Sequence, residues 1–197
     1  MRASSFPLLA TAALCLLAPL TTRAENPAQP FDRLDVGLYG AANANRNQFH
    51  SYWDAGYAGA VDFVTPFYVG RASLLVRVGT NDAIPNAATA GFTSVFGALG
   101  WRVGRSLVED VRADIGLHVG FTEWIFDSEA KSAVRYELEL VTEASVRADY
   151  EFAARWHAIA EASYQFTFTY HRIEMVYVSF GLARSFGAPG WVRGVFQ

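Results

Sequence analysis

Two short stretches of the chain hold the residue types of a hydrolytic site. His50 and Ser51 are adjacent, and His171 lies three residues before Glu174. A serine nucleophile needs a histidine base within hydrogen-bonding reach, together with an acid that orients the base. In neither stretch do all three residue types fall at a spacing that would assemble them. We therefore predict no catalytic residue, and hydrolysis by either stretch stays an open alternative.

Metal and cofactor chemistry has no comparable starting point in the chain. The four histidines do not combine with cysteine or carboxylates at the spacing of metal ligands. Asn81-Asp82 is too little for a calcium-binding loop, and no glycine-rich phosphate loop stands out. The sequence therefore predicts neither a metal nor a cofactor.

Charged residues instead alternate with apolar ones. In the segment 134–150, "VRYELELVTEASVRADY", the even positions are mostly apolar and the odd positions carry the charges. The composition is rich in good helix formers, but a helix needs apolar residues at spacings of three and four. Strict alternation is typical of a β-strand with one apolar face. We predict a strand for this segment.

The same alternation recurs along the rest of the chain and predicts eight strands. They cover approximately residues 34–43, 53–63, 68–78, 94–103, 111–122, 134–150, 156–169 and 176–186. Roughly 9–11 residues cross a bilayer as a tilted strand, whereas strands of soluble proteins commonly have about 5–6. The connections are mostly short at one end and longer and polar at the other, as in membrane barrels. Strand length and loop asymmetry both favour a membrane barrel over a soluble β-sandwich.

The polarity of the two faces supports the same fold class. The apolar face continues around all eight segments, while the other face is more charged than the core of a sandwich. This inverted polarity is typical of an antiparallel up-and-down transmembrane barrel with lipid outside and a polar lumen inside. Eight strands leave room only for side chains, so the lumen charges must pair. The predicted lumen ion network comprises Arg71, Arg77, Arg102, Arg112, Asp114, Arg135, Glu137, Glu139, Glu143, Arg147 and Glu161.

Two interpretations of this network remain open. A packed, charged plug would fix the strand register and block the pore, and this is the interpretation that we favour. Acidic residues outnumber basic ones on the lumen face, so a narrow cation pathway is the other.

Aromatic residues occur on the apolar face at the strand ends near the short turns. Such residues gather at the membrane interface, where the ring body is apolar and its edge is wet. The predicted interface aromatics are Phe63, Tyr68, Trp101, Tyr150, Trp156 and Phe186.

The start of the chain has the features of a secretory signal peptide. Arg2 gives a basic start, an apolar run follows over 6–20, and Ala24 ends a stretch with small residues at the cleavage position. The predicted organisation is a signal peptide over 1–24, a periplasmic lead-in over 25–32, a barrel over 33–186 and a periplasmic tail over 187–197.

Removal of the leader changes the composition in an informative way. The leader holds two of the 16 basic residues and none of the 19 acidic ones, so 14 basic residues remain and the net charge is −5. This balance argues against a nucleic-acid partner. Lys131 is the one lysine, so nearly all positive charge is arginine, which suits bidentate pairing with carboxylates in confined places. The single cysteine, Cys15, falls within the leader, which predicts no disulfide.

Residues 33–186 resemble the small eight-stranded outer-membrane barrels of the OmpA and OmpX type. The last strand carries the alternating apolar residues Val178, Phe180 and Leu182 and the final aromatic Phe186, while Arg184 departs from that pattern. The resemblance implies location in the outer membrane, with contact to its lipid and lipopolysaccharide. It also implies a structural or interaction role, with a possible protein partner in an envelope complex.

Some barrels of this type modify lipid A, so a lipid A hydrolase or acyltransferase is the alternative function, followed by a narrow channel. An acyltransferase needs an apolar slot in the outer half of its lumen. We expect that zone to hold charged and polar residues, namely Arg77, Arg135, Glu137, Glu139, Gln165 and Thr167. This expectation argues against an acyl pocket.

Overall fold

The structure is a computed structural model that describes residues 30–45, 48–85, 87–127, 135–168, 173–188 and 190. The predicted signal peptide and most of the predicted lead-in and tail lie outside these residues. Among the described residues, no helix has the length and hydrophobicity to cross a membrane.

Eight long strands make up most of the described chain. They are β1 (Arg33–Asn43), β2 (Tyr57–Pro66), β3 (Arg71–Asn81), β4 (Phe92–Val108), β5 (Val111–Phe126), β6 (Tyr136–Ala153), β7 (Trp156–Thr167) and β8 (Glu174–Gly187). One turn of 3-10 helix, Gln48–Ser51, lies between β1 and β2.

The strands form a closed antiparallel barrel. Each strand pairs with its neighbours in sequence, and β1 pairs with β8 from Arg33 opposite Gly187 to Asn43 opposite Tyr177. Closure leaves no sheet edge along the wall, which is the condition for a sheet to cross a membrane. The predicted fold class is confirmed.

The alternation of the sequence sets which side chains face inward. On β3, for example, Arg71, Ser73, Leu75 and Arg77 are buried while the residues between them are half-buried or exposed. The outer surface carries large apolar side chains, and the interior carries most of the buried charges. All eight strands have the predicted inward and outward parity, although the inward positions 137 and 139 at one end of β6 are not buried.

Most strand ends differ from the predicted bounds by one to five residues, and two of the larger differences are at β4 and β2. β4 continues to Val108, through a bulge after Ser106, so the predicted turn over 104–110 shrinks to the two residues between β4 and β5. β2 begins at Tyr57 rather than Trp53, because Trp53 forms an isolated bridge with Ala83 in the neighbouring loop.

The two ends of the barrel are unlike. At one end, here called the turn end, β2–β3, β4–β5 and β6–β7 are joined by two to four residues. In the first of these turns Gly70 has a φ of +109°, and a Cβ there would lie 2.5 Å from the Arg102 carbonyl oxygen. Only glycine fits this position. At the other end, the loop end, the connections are longer.

Candidate functional site in the barrel lumen

A group of ion pairs, the turn-end network, fills the lumen nearest the turns. It comprises Asp35, Asp62, Arg71, Arg102, Arg112, Asp114, Arg147, Asp149 and Glu161. All nine side chains come from the inward positions of their strands, and all but Arg112 are almost fully buried. The network holds four arginines against five carboxylates.

Arg71 joins three strands of this network. Its guanidinium contacts Asp114, lies 3.0 Å from an Asp149 carboxylate oxygen and 3.8 Å from an Asp35 carboxylate oxygen. These acids lie on β5, β6 and β1, so one cation connects distant parts of the wall through the lumen. Charge-assisted hydrogen bonds of this kind are among the stronger polar contacts in proteins.

Arg147 and Arg102 bridge the remaining acids. Arg147 lies 2.5 Å from Asp62 and 2.7 Å from Asp149, while Arg102 lies 2.8 Å from Glu161 and 3.9 Å from Asp62. Because two arginines share one aspartate, the pairs form a connected network rather than isolated bridges.

Arg77 forms a second, separate ion pair further from the turns. Its guanidinium donates to both oxygens of Glu143, at 2.5 and 3.1 Å. It also lies over the Tyr177 ring, 4.4 Å from the centroid, and 5.6 Å from the centroid of Phe96. Planar, bidentate and stacked contacts suit an arginine and would not suit a lysine.

Aromatic side chains pack together at the loop end of the lumen. We call Phe49, Trp53, Phe92 and Trp124 the aromatic cap. Phe92 is its centre, with its ring centroid 4.6 Å from Trp124, 5.3 Å from Trp53 and 6.3 Å from Phe49. Ala41, Ala58, Met175 and Tyr177 belong to the same buried cluster.

Neighbouring loops hold the cap in place. The Trp53 indole donates a hydrogen bond of 2.8 Å to the Ala90 carbonyl oxygen, and Asp54 N donates to the Asp82 carbonyl oxygen at 2.9 Å. The β1–β2 loop is therefore folded over the lumen and fastened to the β3–β4 loop. Buried aromatic pairs contribute about 0.5–1.5 kcal/mol beyond the area they bury.

Eight of the eleven predicted network residues lie in the lumen as ion-pair members. They are Arg71, Arg77, Arg102, Arg112, Asp114, Glu143, Arg147 and Glu161. Acids on β1, β2 and β6, namely Asp35, Asp62 and Asp149, complete their pairing.

The other three predicted members do not belong to the network. Arg135 and Glu137 are exposed, and Glu139 is half-buried. The pairing of β6 with β7 ends at Val141 opposite Thr167, while β5 and β6 stay paired as far as Tyr136. The β5–β6 hairpin therefore projects past the end of β7 on its β6 side, where the inward positions 137 and 139 are not buried. Trp124, opposite Glu137 on β5, is buried in the aromatic cap.

The aromatic cap is the feature that the sequence reasoning missed. The outer half of the lumen is lined by Phe92, Trp124 and Met175, and not mainly by the charges expected there. The expected polar lining is present in part: Arg77, Gln165 and Thr167 are buried in the lumen, while Arg135, Glu137 and Glu139 lie on the projecting hairpin. The alternation of the sequence could have predicted part of the cap, because Phe92, Phe96 and Trp124 occupy inward positions on β4 and β5.

The six predicted interface aromatics lie on the outer surface towards the turn end. Each is at least 36% exposed. Five are on strands, and Tyr68 is in the β2–β3 turn, where its φ is +46°. The six interface aromatics are Phe63, Tyr68, Trp101, Tyr150, Trp156 and Phe186.

The hydrolytic candidates are not brought together by the described residues. The half-buried His50 lies beside Phe49, while Ser51 is exposed. Glu174 begins β8, and its carbonyl oxygen accepts from the Asn45 amide. His171 lies outside the described residues. Within the described ranges, no three histidine, cysteine or acidic side chains are grouped to hold a metal ion.

An apolar outer wall, a filled charged lumen and closed antiparallel pairing together define the class of small outer-membrane-type β-barrels. Solved structures share this fold, among them these two. Neisserial surface protein A (NspA) has a TM-score of 0.60 and 8% identity, with 78% of this chain and 97% of that chain covered. The N-terminal β-barrel domain of Pseudomonas aeruginosa OprF has a TM-score of 0.51 and 12% identity, with 80% and 100% covered.

Sequence comparisons add nothing to this likeness. No family model matches the chain, and no curated protein matches it. At 8–12% identity, the likeness to NspA and OprF shows the fold alone.

Proposed function

We propose that this protein is an integral outer-membrane barrel with a closed lumen and a structural or interaction role. The observation that carries the proposal is that the lumen is filled at two levels. The turn-end network occupies one end, and the aromatic cap occupies the other. A pore would need a continuous polar path, and eight strands leave little space for one.

The membrane assignment follows from the outer surface. Large apolar side chains such as Leu99, Leu117 and Phe180 are more than half exposed, with relative exposures of 70%, 57% and 66%. Such a surface would promote aggregation in water and is matched by lipid. By the usual asymmetry of these barrels, the turn end faces the periplasm and the loop end faces outward. Outer-membrane lipid and lipopolysaccharide would then surround the wall.

The β5–β6 hairpin is the part best placed to meet a protein partner. It projects beyond the wall with Tyr136 and Leu138 at 53% and 68% exposure, beside the exposed Glu137. Exposed apolar side chains outside the closed wall are suited to a surface or envelope contact. The interaction role is therefore assigned to the loop end.

Conductance in a planar lipid bilayer tests the closed lumen. We expect the refolded protein to insert without stepwise current. A Phe49→Ala/Trp53→Ala variant, which removes two rings of the cap, tests whether the cap contributes to the closure. Reproducible steps from the wild type would contradict a closed lumen and favour the narrow channel.

Crosslinking in native membranes tests the interaction role. A photoreactive residue at position 138 of the hairpin should form one stoichiometric protein adduct. The matched control is position 117, an exposed leucine on the wall, where we expect lipid adducts only. If both positions gave lipid adducts only, the interaction role would be contradicted and the structural role would remain.

Mass spectrometry of lipid A with and without the protein tests the enzymatic alternative, which predicts altered acyl chains.

A further inference from the structure

A groove crosses the outer surface of β8, β1 and β2. Its volume is about 880 Å³, and its lining is mostly apolar. Gly40 and Gly59 pair across β1 and β2 and form its floor, while Phe180 on β8 stands beside them. A Cβ added to either glycine would meet nothing within 4 Å. The groove therefore exists because two neighbouring side chains are missing, and the barrel wall does not require their absence.

The far side of the barrel lacks this arrangement. Gly97 on β4 is also outward-facing with open space around it, but it pairs with Val76 and Phe121, whose side chains flank it. A lone glycine between large side chains makes a small gap. Two paired glycines beside Phe180 and Leu182 make an elongated groove.

A cation stands at the turn end of this groove. Arg184 lies on the lipid-facing side of β8, opposite Val36 on β1 and Trp156 on β7. Its guanidinium lies 5.3 Å from the ring centroids of both Trp156 and Phe186. None of the carboxylates in the described residues pairs with it. Interface aromatics mark the depth of the lipid headgroups, where an arginine meets phosphate.

The dimensions fit one leaflet. Phe180 is four residues from Arg184 along β8, which is about 13 Å of strand at the usual rise and roughly 10 Å of depth at the usual strand tilt. Half of a bilayer core is roughly 15 Å thick. An acyl chain that begins at the headgroup level near Arg184 would therefore run over the glycines and end near the midplane.

We propose that this groove binds one glycerophospholipid of the periplasmic leaflet. One acyl chain lies over Gly40 and Gly59, and the phosphate accepts hydrogen bonds from the Arg184 guanidinium. A second copy of the chain is a poorer occupant, because a symmetric dimer would bring its own Arg184 to the same depth beside this one. This lipid site rests on the proposed function only for the orientation of the barrel in the membrane. It would stand even if the lumen conducted ions.

Native mass spectrometry of the refolded full chain tests the site, with palmitoyl-oleoyl phosphatidylglycerol as the probe. We expect one tightly held lipid per barrel. Arg184→Gln should lower the affinity for the lipid at least about tenfold, since each charge-assisted hydrogen bond is lost and about 1.4 kcal/mol corresponds to a tenfold change. Gly40→Leu should lower it similarly, because leucine fills the open space in the groove.

Matched variants separate the groove from general lipid contact. Gly97→Leu makes the same change on the opposite side, and Arg105→Gln removes another arginine at the turn end, on β4. Both should bind lipid as the wild type does. Heat-modifiable migration on a gel verifies that each variant is folded, and if Arg184→Gln fails to fold, the Gly40 and Gly97 pair still decides.

Three results would overturn the proposal. The first is equal lipid binding by Gly40→Leu and Gly97→Leu. The second is a protein dimer that Gly40→Leu abolishes while lipid binding is unchanged. The third is displacement of the phosphatidylglycerol by lipid A with the same dependence on Arg184 and Gly40, which would assign the groove to the other leaflet's lipid.

Discussion

Breaking the Arg77–Glu143 pair should be strongly destabilising, because both partners are out of contact with solvent. Their side chains are 3% and 0% exposed, and two hydrogen bonds of 2.5 and 3.1 Å join them. Glu143→Leu leaves the guanidinium buried between Phe96 and Tyr177 without its counter-ion. Removing one partner of a buried pair costs about 3–5 kcal/mol, mostly because the other charge stays buried.

The double variant Arg77→Met/Glu143→Leu should regain most of that loss. Replacing a buried ion pair with apolar residues of similar volume is often neutral or stabilising. The measurement is reversible unfolding in guanidinium chloride, from detergent micelles and followed by tryptophan fluorescence, with the midpoint and slope compared across the cycle.

Glu137→Leu is the matched control, since it makes the same substitution at an inward position of the same strand where the side chain is exposed. We expect it to change stability by less than about 0.5 kcal/mol. Equal effects of Glu143→Leu and Glu137→Leu would refute the reasoning, and so would a double variant as unstable as Glu143→Leu alone.

Three further predictions concern the wall, a turn and the cap. Leu117→Arg, on the lipid face in the middle of β5, should lower the unfolding free energy by about 2–4 kcal/mol. Leu138→Arg, on the projecting hairpin, should lower it by about 0–1 kcal/mol. Equal costs would contradict the membrane position of Leu117. Gly70→Ala should cost at least about 1 kcal/mol by the same assay, because its φ of +109° is strained for alanine and its Cβ would collide with a carbonyl oxygen of β4. Trp53→Ala should speed proteolytic cleavage of the β1–β2 loop, whereas Tyr52→Ala, at an exposed neighbour, should not; equal rates would show that the cap does not hold this loop.

The fold was predictable because successive residues of a barrel strand face lipid and lumen in turn, so the sequence alternates between apolar and polar residues. A residue such as Leu99 or Arg102 meets lipid or lumen according to its parity alone. Closure between β1 and β8 then follows from the number of strands and from the need to leave no edge in a bilayer. Strand ends were less predictable, because polar residues such as Arg105 and Ser106 suit a turn and an extended strand equally well.

The lumen was predictable in composition and not in pairing. Parity places Arg71 and Asp114 inside, but their contact across the lumen depends on strand tilt and stagger, which leave no local signal. Arg135 and Glu137 show the same limit, because their exposure depends on where β7 stops, some thirty residues away. The cap was missed because Phe49 and Trp53 are loop residues whose burial depends on another loop.

The seam between β1 and β8 has a consequence for how the barrel forms. Every other pairing joins strands that are neighbours in sequence, while this one joins Arg33 to Gly187. Loop-closure entropy makes such a distant contact slow to find, so closure should be the late step of folding. Asp35 accepts a hydrogen bond of 2.6 Å from the Ser185 hydroxyl across the seam, and it also lies beside Arg71. β8, the last strand of the barrel in chain order, therefore meets a first strand whose Asp35 carboxylate is positioned in part by Arg71, and the β1–β8 contact completes the wall.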